Sequence, residues 1–413
     1  MKRFLLTIIF VLCVVLGVTP PAQAGMISLE QEIEMGRETA KSLEAKYGLY
    51  QDDAMQERVN RIGQRLAAVS GRTDIEYSFK VLNHNEVNAL ACPGGFIYVF
   101  KGLIDFMPSD TELAGVLGHE VGHVAKKHTV NAIEKRLWTT LALIVATGGR
   151  SGMSLIGAAQ EALFAGYSRT DERGADKEGF YNTVNAGFNP YSMLITANKL
   201  EDLSQQGGGS SYGLFSSHPE PVERVKRIQK YLKDYDLAPV VVINENGTAT
   251  IQEDDWTFNI SQDIGGTKAE YRAYMLAGSL WVARQRGEIN PDYFVVYDNG
   301  NKADIYYDDI QLLTVYAQDA TGVSPSAGAY AAACTKMLKE WAPIANRNDK
   351  IKKDAAFAVE QKRLAEEKAK LEKEQAKKAK EEAKRLEKER KAKEKAEKKA
   401  REKAEKEAKK KAA

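Results

Sequence analysis

The sequence has 413 residues, more than the roughly 100–200 of one typical domain, so we expect two folded units and an extension. Its formal net charge of +2 conceals an asymmetry, because residues 351–413 carry 25 Lys and Arg against 15 Asp and Glu, whereas residues 1–350 carry 34 against 42. Because the body of the chain is acidic and only its tail is basic, the charge distribution excludes a uniformly basic nucleic-acid-binding protein. We therefore expect no nucleic-acid partner.

Residues 1–24 are predicted to be a signal peptide. Two basic residues precede an apolar run over residues 4–18, and residues 22–24, Ala-Gln-Ala, provide small side chains for cleavage. The apolar run is shorter than the ~20 residues that span a bilayer, and a proline pair ends it, so we prefer cleavage to a membrane anchor. We therefore expect an exported protein, periplasmic if the source is Gram-negative, with at most peripheral membrane contact.

Residues 25–235 are predicted to form one mainly helical α+β domain. Apolar residues at helical spacing over residues 28–70 predict two amphipathic helices. Residues 77–82 and 96–100 are predicted strands, the second following a Pro-Gly-Gly turn. Further helices are predicted over residues 109–128, over 132–186 with a break near 148–152, and over 221–233, with a glycine and serine loop over 205–211.

Residues 236–345 are predicted to form a separate α+β module whose role the sequence does not indicate. Strand and turn signals predict two hairpins, 240–243 with 248–251 and 293–297 with 303–307. Helices are expected over residues 268–286 and 326–341, and their aromatic side chains are expected to be core rather than a ligand cage.

Residues 346–413 are predicted to be a charged helical tail. They are rich in Lys, Glu, Ala and Arg, and pairs of Glu and Lys or Arg four residues apart recur along them. Because apolar positions are mostly Ala, a solvated single helix is preferred to a coiled coil. We expect the tail to contact an anionic surface or another envelope protein.

Removal of the signal peptide leaves two cysteines, Cys92 and Cys334. In an oxidising compartment two thiols can pair. These two lie far apart in sequence and in different predicted domains, so we expect two buried free cysteines instead.

The strongest chemical signal is the motif His119-Glu120-Val121-Gly122-His123. It lies in a helix that begins at the capping box Ser109-x-x-Glu112. Residues four apart share a helix face, so His119 and His123 can bind one Zn²⁺ per chain. Zinc lowers the pKa of a bound water toward ~7. Glu120 is placed to take a proton from this water and to deliver that proton to the leaving amine. Because apolar residues surround the motif, a metal site is preferred to a chance surface pair.

A catalytic zinc needs a third protein ligand and an open fourth position. Of the five histidines in the chain, His84 and His128 lack a supporting pattern and are expected to be polar surface residues. Glu172 is a candidate ligand, and Asp176, one helical turn later, is a candidate acceptor for the second N–H of a ligating histidine. On spacing alone, a solvated carboxylate pair is the stronger interpretation of these two residues.

Several short motifs accompany the metal motif. They are Asn88-Ala89-Leu90-Ala91-Cys92-Pro93-Gly94-Gly95, Lys101-Gly102-Leu103, Ser168-Arg169 with Glu172 and Ala175-Asp176, and His218-Pro219 with Arg224. Together they resemble the zinc metallopeptidase family that includes the CAAX prenyl endopeptidase and bacterial envelope quality-control proteases. The resemblance implies that His119, His123 and Glu172 bind zinc. It also implies that Glu120 is catalytic and that Asp176 supports a ligand, which makes residues 25–235 a zinc metallopeptidase domain.

The resemblance covers about residues 28–232 and assigns further positions. It implies that His218 lies near the site. There it either stabilises the oxyanion, or fills the open zinc position and so keeps the enzyme latent. The third interpretation is a helix-cap histidine beside Pro219, and all three stay open. Arg224 either pairs with a carboxylate near the site, orients the substrate, or is a solvated helix residue. The family pattern has an apolar residue at the position of Cys92. Whether a thiol lies near the cleft therefore stays open. The implied edge strand, against which an extended polypeptide substrate pairs, comprises Asn88, Ala89, Leu90 and Ala91.

The predicted function is a zinc-dependent endopeptidase of the cell envelope that hydrolyses unfolded or misassembled proteins. The substrate class follows from the resemblance alone. The alternative is a scaffold or chaperone-like binding protein with a latent peptidase, against which an intact Glu120 argues. The prenyl-protein branch of the family is disfavoured, because it would need several membrane-spanning helices.

Overall fold

The computed structural model describes residues 26–147, 155–208, 218 and 221–411. The predicted signal peptide and the predicted helix break near 148–152 lie outside these residues. The chain forms two compact units, one ending at Ala342 and the other beginning at Pro343.

Two capped helices open the first unit, as their amphipathic spacing predicted. Helix α1 is Leu29–Tyr47, and Ser28 caps it by accepting a hydrogen bond from the backbone of Gln31 in a capping box. Helix α2 is Asp53–Ala67, capped by the Asp52 side chain. Both helices bury one face against the core.

A three-stranded sheet follows, in the order β1-β3-β2. The strands are β1 Ser78–Leu82, β2 Ala89–Ala91 and β3 Phe96–Phe100. β1 pairs with β3 in parallel and β2 pairs with β3 antiparallel. β2 therefore lies at one edge of the sheet. Its three residues are nonetheless buried, because helices cover them.

Helices complete the part of the unit that was predicted to be the peptidase domain. The predicted capping box at Ser109 and Glu112 is present. The helix that it begins ends at Ala125, three residues before the predicted end. A π-helical turn, Ser204–Gly208, occupies part of the predicted glycine and serine loop. The helices are α3 Lys101–Phe106, α4 Asp110–Ala125, α5 His128–Thr147, α6 Leu155–Phe164, α7 Arg169–Asn185, α8 Ser192–Leu203 and α9 Pro221–Leu232.

Helices α4 and α7 approach closely because small residues line their contact. A Cβ added to Gly122 would lie 2.6 Å from the carbonyl oxygen of Ala175, and one added to Gly179 would lie 2.6 Å from that of Gly118. Larger side chains would hold the two backbones apart. This packing brings the first turns of α7 beside the metal-binding motif on α4.

The remainder of the first unit contains two antiparallel sheets, ordered β4-β5-β6 and β7-β8-β9, with helix α10 between them in sequence. The predicted hairpins are present, and each gains a third strand that the prediction missed. Aspartates with positive φ, Asp254 at 50° and Asp308 at 53°, form the turns that add these strands. The elements are β4 Val240–Ile243, β5 Ala249–Glu253, β6 Trp256–Ile260, α10 Ala269–Gln285, β7 Phe294–Asp298, β8 Lys302–Tyr307 and β9 Ile310–Tyr316.

The aromatic residues predicted to be core in this region are largely buried. Trp341 is fully buried, its ring lies 6.0 Å from that of Trp256, and its indole N–H donates to Glu253 at 2.8 Å. The short helix α11, Ala317–Ala320, precedes helix α12, Ala327–Lys411. α12 runs from the first unit through the predicted tail.

The fold class is α+β and mainly helical, as predicted. In the tail, the predicted pairs Glu374 with Lys378 and Glu387 with Lys391 form at 3.0 and 2.7 Å. Cys92 and Cys334 are buried and free, as predicted. Within the described part of the chain, none of the helices is long and apolar enough to cross a membrane.

Candidate active site

Four side chains converge at the contact between α4 and α7. His119 and His123 lie one turn apart on α4, Glu172 lies in the first turn of α7, and His218 completes the group. One ligand atom from each residue lies within 4.8 Å of all the others, and all four residues are buried. The structure therefore brings together the predicted ligands and His218.

Neighbouring ligand atoms in this group lie within hydrogen-bond distance of one another. Nε2 of His119 lies 3.0 Å from Nε2 of His123 and 3.1 Å from Nδ1 of His218, which in turn lies 2.9 Å from Oε1 of Glu172. Three imidazole nitrogens and a carboxylate facing one point form a donor set for Zn²⁺. The residues present could hold a metal ion.

Unpartnered oxygens add to this fit. Both carboxylate oxygens of Glu120 and Oε2 of Glu172 are buried without a hydrogen bond in the described part of the chain. Oε1 of Glu120 lies 3.5 Å from Nε2 of His218, and this contact does not have hydrogen-bond geometry. A buried carboxylate is costly unless a cation or a proton donor compensates it. Buried carboxylate oxygens without a hydrogen bond beside three histidines therefore suit a site that a cation completes.

Asp176 holds His119 from the side away from the cluster. Its Oδ1 lies 3.0 Å from Nδ1 of His119, so a proton on Nδ1 leaves the lone pair of Nε2 facing the cluster. Arg224 donates to the same Oδ1 at 3.0 Å, and Arg227 donates to Oδ2 at 2.9 Å. Arg224 therefore does pair with a carboxylate beside the site. Arg227 was missed, although it lies three residues later on the same helix face.

His128 is buried beside the site, and the expectation that it is a surface residue was wrong. Only 7% of its surface is exposed, and its Nδ1 lies 3.0 Å from Nδ1 of His123. Its Nε2 lies 3.8 Å from Oδ1 of Asp171. If Nδ1 of His123 donates to His128, its Nε2 is left as a lone pair facing the cluster. His84 is half-buried between the rings of Tyr47 and Phe100.

Tyr167 connects the cluster to the edge strand β2, and sequence analysis gave it no role. Its ring stacks on His123 with 3.7 Å between centroids. Its hydroxyl lies 2.8 Å from that of Thr129, whose hydroxyl donates to the carbonyl of Ala91 at 2.9 Å. Its place immediately before Ser168, the N-cap of α7, was the available signal. Tyr167 thus contacts a predicted ligand and is linked through Thr129 to the predicted edge strand.

The predicted edge strand β2 is buried, and its outward main-chain groups are only partly hydrogen-bonded within the described part of the chain. Because Asn88 and Cys92 bond to β3, residues 89 and 91 face outward. The carbonyl of Ala91 is taken by Thr129, and the N–H of Ala89 by the Asn88 side chain. The Cys92 thiol is buried near Glu120, and burial followed by that carboxylate raises the pKa of Cys92. The thiol therefore lies near the site but is not a nucleophile.

Burial and charge displace the pKa values of the cluster. Burial and then Arg224 lower the pKa of His119, but the carboxylates of Glu172 and Asp176 outweigh them and raise it to about 9. Burial is the main reason that the pKa of His123 lies well below its usual value. Burial opposes the charged form of Glu172, yet the nearby histidines hold its pKa well below the usual range. The carboxylate is therefore charged, as a metal ligand must be.

Known families cover most of the first unit. The profile of peptidase family M48 matches residues 53–232. A second profile, a domain of unknown function called DUF8459, matches residues 249–341. The first match begins at α2, so α1 lies outside it.

Curated relatives match about half of the chain. Metalloprotease YcaL of Escherichia coli (strain K12) is 32% identical over 205 residues, which is 48% of this chain and 74% of the relative. The β-barrel assembly-enhancing protease of Yersinia pestis is 27% identical over 212 residues, 48% of this chain and 43% of the relative. The mitochondrial metalloendopeptidase OMA1 of Schizosaccharomyces pombe is 26% identical over 218 residues, which is 50% of this chain and 63% of the relative. The chain thus spans less than half of the length of the Yersinia relative.

Proposed function

Because the chain belongs to peptidase family M48, we propose that it is a zinc-dependent endopeptidase of the cell envelope. The observation that carries the proposal is the convergence of His119, His123 and Glu172 beside the unpartnered carboxylate of Glu120. A structural zinc site would need no such carboxylate, because its four ligands satisfy the ion. A carboxylate held next to the ligands without a partner of its own suits proton transfer.

The proposed ligands are His119, His123 and Glu172, and each is oriented by a second group. Asp176 holds His119, and both His128 and Tyr167 hold His123. When bound, Zn²⁺ supplies Lewis acidity, which polarises a carbonyl group and acidifies water.

Glu120 performs the proton transfers in this mechanism. Its carboxylate takes a proton from the attacking water and gives it to the nitrogen of the leaving amine. Its position one residue after His119 on α4 places it at the cluster, and burial excludes bulk water. Low dielectric strengthens its interaction with the charges that develop during the reaction.

His218 keeps the site closed in this arrangement. Its Nδ1 lies among the ligand atoms, and its Nε2 faces Glu120. With zinc bound, His218 would be a fourth protein ligand beside His119, His123 and Glu172, whereas catalysis needs an open position. We infer that His218 leaves this position when a substrate enters. Of the three roles left open by the sequence, a latency ligand has the most support from these distances.

An extended polypeptide is the proposed substrate, and it pairs with β2. Within the described part of the chain, the outward carbonyl of Ala89 and the outward N–H of Ala91 have no hydrogen-bond partner. Because both residues are buried, pairing with a substrate requires that the groups covering β2 move aside. Main-chain hydrogen bonds do not depend on the amino-acid sequence of the substrate. This mode of binding therefore suits unfolded or misassembled proteins of varied sequence. Relatives named for β-barrel assembly support envelope proteins as the substrate class.

We further propose that the chain is exported, that residues 1–24 are removed and that it is periplasmic in a Gram-negative source. We also propose a peptidase domain that ends near residue 235 and a module that ends near residue 345.

The basic tail is proposed to contact an anionic surface or another envelope protein. Such contact weakens as salt rises, because counterions screen it. Sedimentation with anionic and neutral vesicles at low and high salt tests it, and salt-independent binding would contradict it.

Peptide hydrolysis by the purified mature chain tests the central proposal. Glu120→Gln is expected to reduce kcat/KM by about 10²–10⁴-fold, the usual contribution of general acid–base catalysis, while zinc content stays at one per chain. The matched control is Glu178→Gln, since Glu178 lies on the same helix as Glu172, pairs with Lys126 at 2.7 Å and is not one of the four clustered residues. A scaffold or chaperone-like protein would show no hydrolysis in either form, which is the result that would reject the proposal.

A further inference from the structure

Strand β4 forms one edge of the sheet β4-β5-β6, and its composition is unusual for that position. Soluble proteins commonly protect an edge strand with charges, proline or a bulge, because its free main chain can pair with another chain. The strand reads Val240-Val241-Val242-Ile243 and contains none of these. Val240, Val242 and Ile243 keep 40–43% of their surface exposed.

The opposite edge of the same sheet, β6, follows the ordinary pattern. Its apolar residues Trp256, Phe258 and Ile260 are buried, and its exposed residues are the polar Thr257 and Asn259. This alternation is typical of a sheet that covers a core with one face. Apolar exposure is thus a property of β4 and not of the sheet as a whole.

The outer main chain of β4 is also free. The N–H of Asn244 donates to the carbonyl of Thr248 at 2.9 Å, and this pair sets the register of the hairpin with β5. Hydrogen bonding alternates along an antiparallel pair, so the main-chain groups of Val241 and Ile243 point away from β5. Within the described ranges of the chain, these two N–H and two C=O groups have no hydrogen-bond partner. An added strand would make up to four hydrogen bonds with them.

We infer that β4 is a docking site for an extended apolar strand of a polypeptide client. The inference rests on the proposed function, since clients that are unfolded β-sheet proteins present free main chain and alternating apolar side chains. A second copy of this chain fits less well as the occupant. Four residues extend over only about 13 Å, and such a contact by itself falls short of the roughly 1,200–2,000 Å² that a stable interface buries. Weak, reversible binding of a client does not require a larger contact area than one short strand provides.

The test uses the full mature chain with Glu120→Gln, so that bound peptide is not cleaved. The probe is a fluorescein-labelled ten-residue peptide of alternating valine and threonine, and its Kd is measured by fluorescence anisotropy. Val242→Lys places a charge on the edge, and Val241→Pro removes an outward N–H that β5 does not use. Each is expected to weaken binding by about tenfold, equivalent to one or two hydrogen bonds.

Thr257→Lys is the matched control, because it places the same charge on the opposite edge of the same sheet. It is expected to leave the Kd unchanged. Equal weakening by Val242→Lys and Thr257→Lys, or no weakening by the two β4 variants, overturns the inference. All variants must share one thermal midpoint, so that misfolding cannot imitate the expected result.

Two further measurements separate this inference from its premise. If sedimentation shows a dimer that Val242→Lys dissociates while peptide binding persists, the occupant is a second copy and the inference is wrong. With Glu120 intact, Val242→Lys is expected to cleave a six-residue peptide at the unmodified rate. If the unmodified chain does not cleave that peptide, the proposed function fails on its own, whatever the anisotropy shows.

Discussion

The cluster on α4 and α7 and the edge strand β4 depart from ordinary burial in opposite directions. Around the cluster, polar side chains such as His123 and Glu172 are buried at 1% and 0% exposure. On β4, apolar side chains are exposed at 40–43%. Burying polar groups and exposing apolar groups both cost free energy unless something compensates them. The difference supports the two proposals, in which a cation completes the first region and an added strand completes the second.

Removing a ligand should break the first region most severely. Glu172→Gln takes away a charged donor at the centre of the cluster and leaves the imidazoles without it. We expect zinc affinity to fall by more than about 100-fold, since even a supporting residue behind a ligand costs 10–100-fold. Competition with a chromophoric chelator measures the change. Retained affinity would mean that Glu172 is not a ligand.

Removing the metal should destabilise the folded chain by a comparable amount. At a free zinc concentration 100 times Kd, binding to the native state alone contributes about 2.7 kcal/mol. Chelation should therefore lower the thermal midpoint of the unmodified chain and leave that of Glu172→Gln where it was. An equal drop in both proteins would place the stabilising ion elsewhere.

His128 tests whether the surroundings of the cluster matter. His128→Phe removes the nitrogen that lies 3.0 Å from His123 and keeps an aromatic ring in the buried space. We expect zinc affinity to fall by about 10–100-fold, and His128→Asn to restore part of it by supplying a polar partner. His84→Phe is the control, since His84 lies between Tyr47 and Phe100. A change in affinity shared by both phenylalanine variants would reject the role of His128.

The close helix contact that builds the site predicts a smaller effect. In Gly179→Ala the new Cβ would lie 2.6–2.9 Å from backbone atoms of Gly118 and His119. Overpacking costs about 1–3 kcal/mol, and the better helix propensity of Ala returns about 1 kcal/mol. We expect a net loss of about 1 kcal/mol in the free energy of unfolding, measured in urea against Lys177→Ala on the exposed face. A gain in stability would show that the helices have room to spare.

The smallest effect is expected on β4. Val242→Lys changes an exposed side chain, so the free energy of unfolding should stay within about 0.5 kcal/mol of the unmodified value. Chemical denaturation beside Gly179→Ala makes the contrast direct. A loss above 1 kcal/mol would show that β4 supports the core rather than awaiting a partner.

Sequence patterns predicted the catalytic helix and its capping box because both depend on residues within one turn of each other. Glu172 was an ambiguous carboxylate on spacing alone, since the pairing of α4 with α7 depends on glycines more than 50 residues apart. Only the family resemblance singled it out.

His128 was missed for a local reason. It lies five residues after His123, which on a continuous helix would place it on a different face. The helix instead ends at Ala125, and Lys127 adopts a positive φ of 56° that turns the chain back. A lysine gives no sign of that conformation, whereas a glycine would have. The third strands β6 and β9 were missed for a similar reason, because aspartates rather than the expected Asn-Gly pairs form their turns.

Diffraction from crystals of the mature protein, recorded on both sides of the zinc absorption edge, tests the central claim most directly. The account predicts one anomalous peak per chain, about 2.0–2.2 Å from Nε2 of His119, Nε2 of His123 and a carboxylate oxygen of Glu172. A zinc-loaded crystal with its peak at another place, or with Glu172 turned away from the two imidazoles, would contradict it.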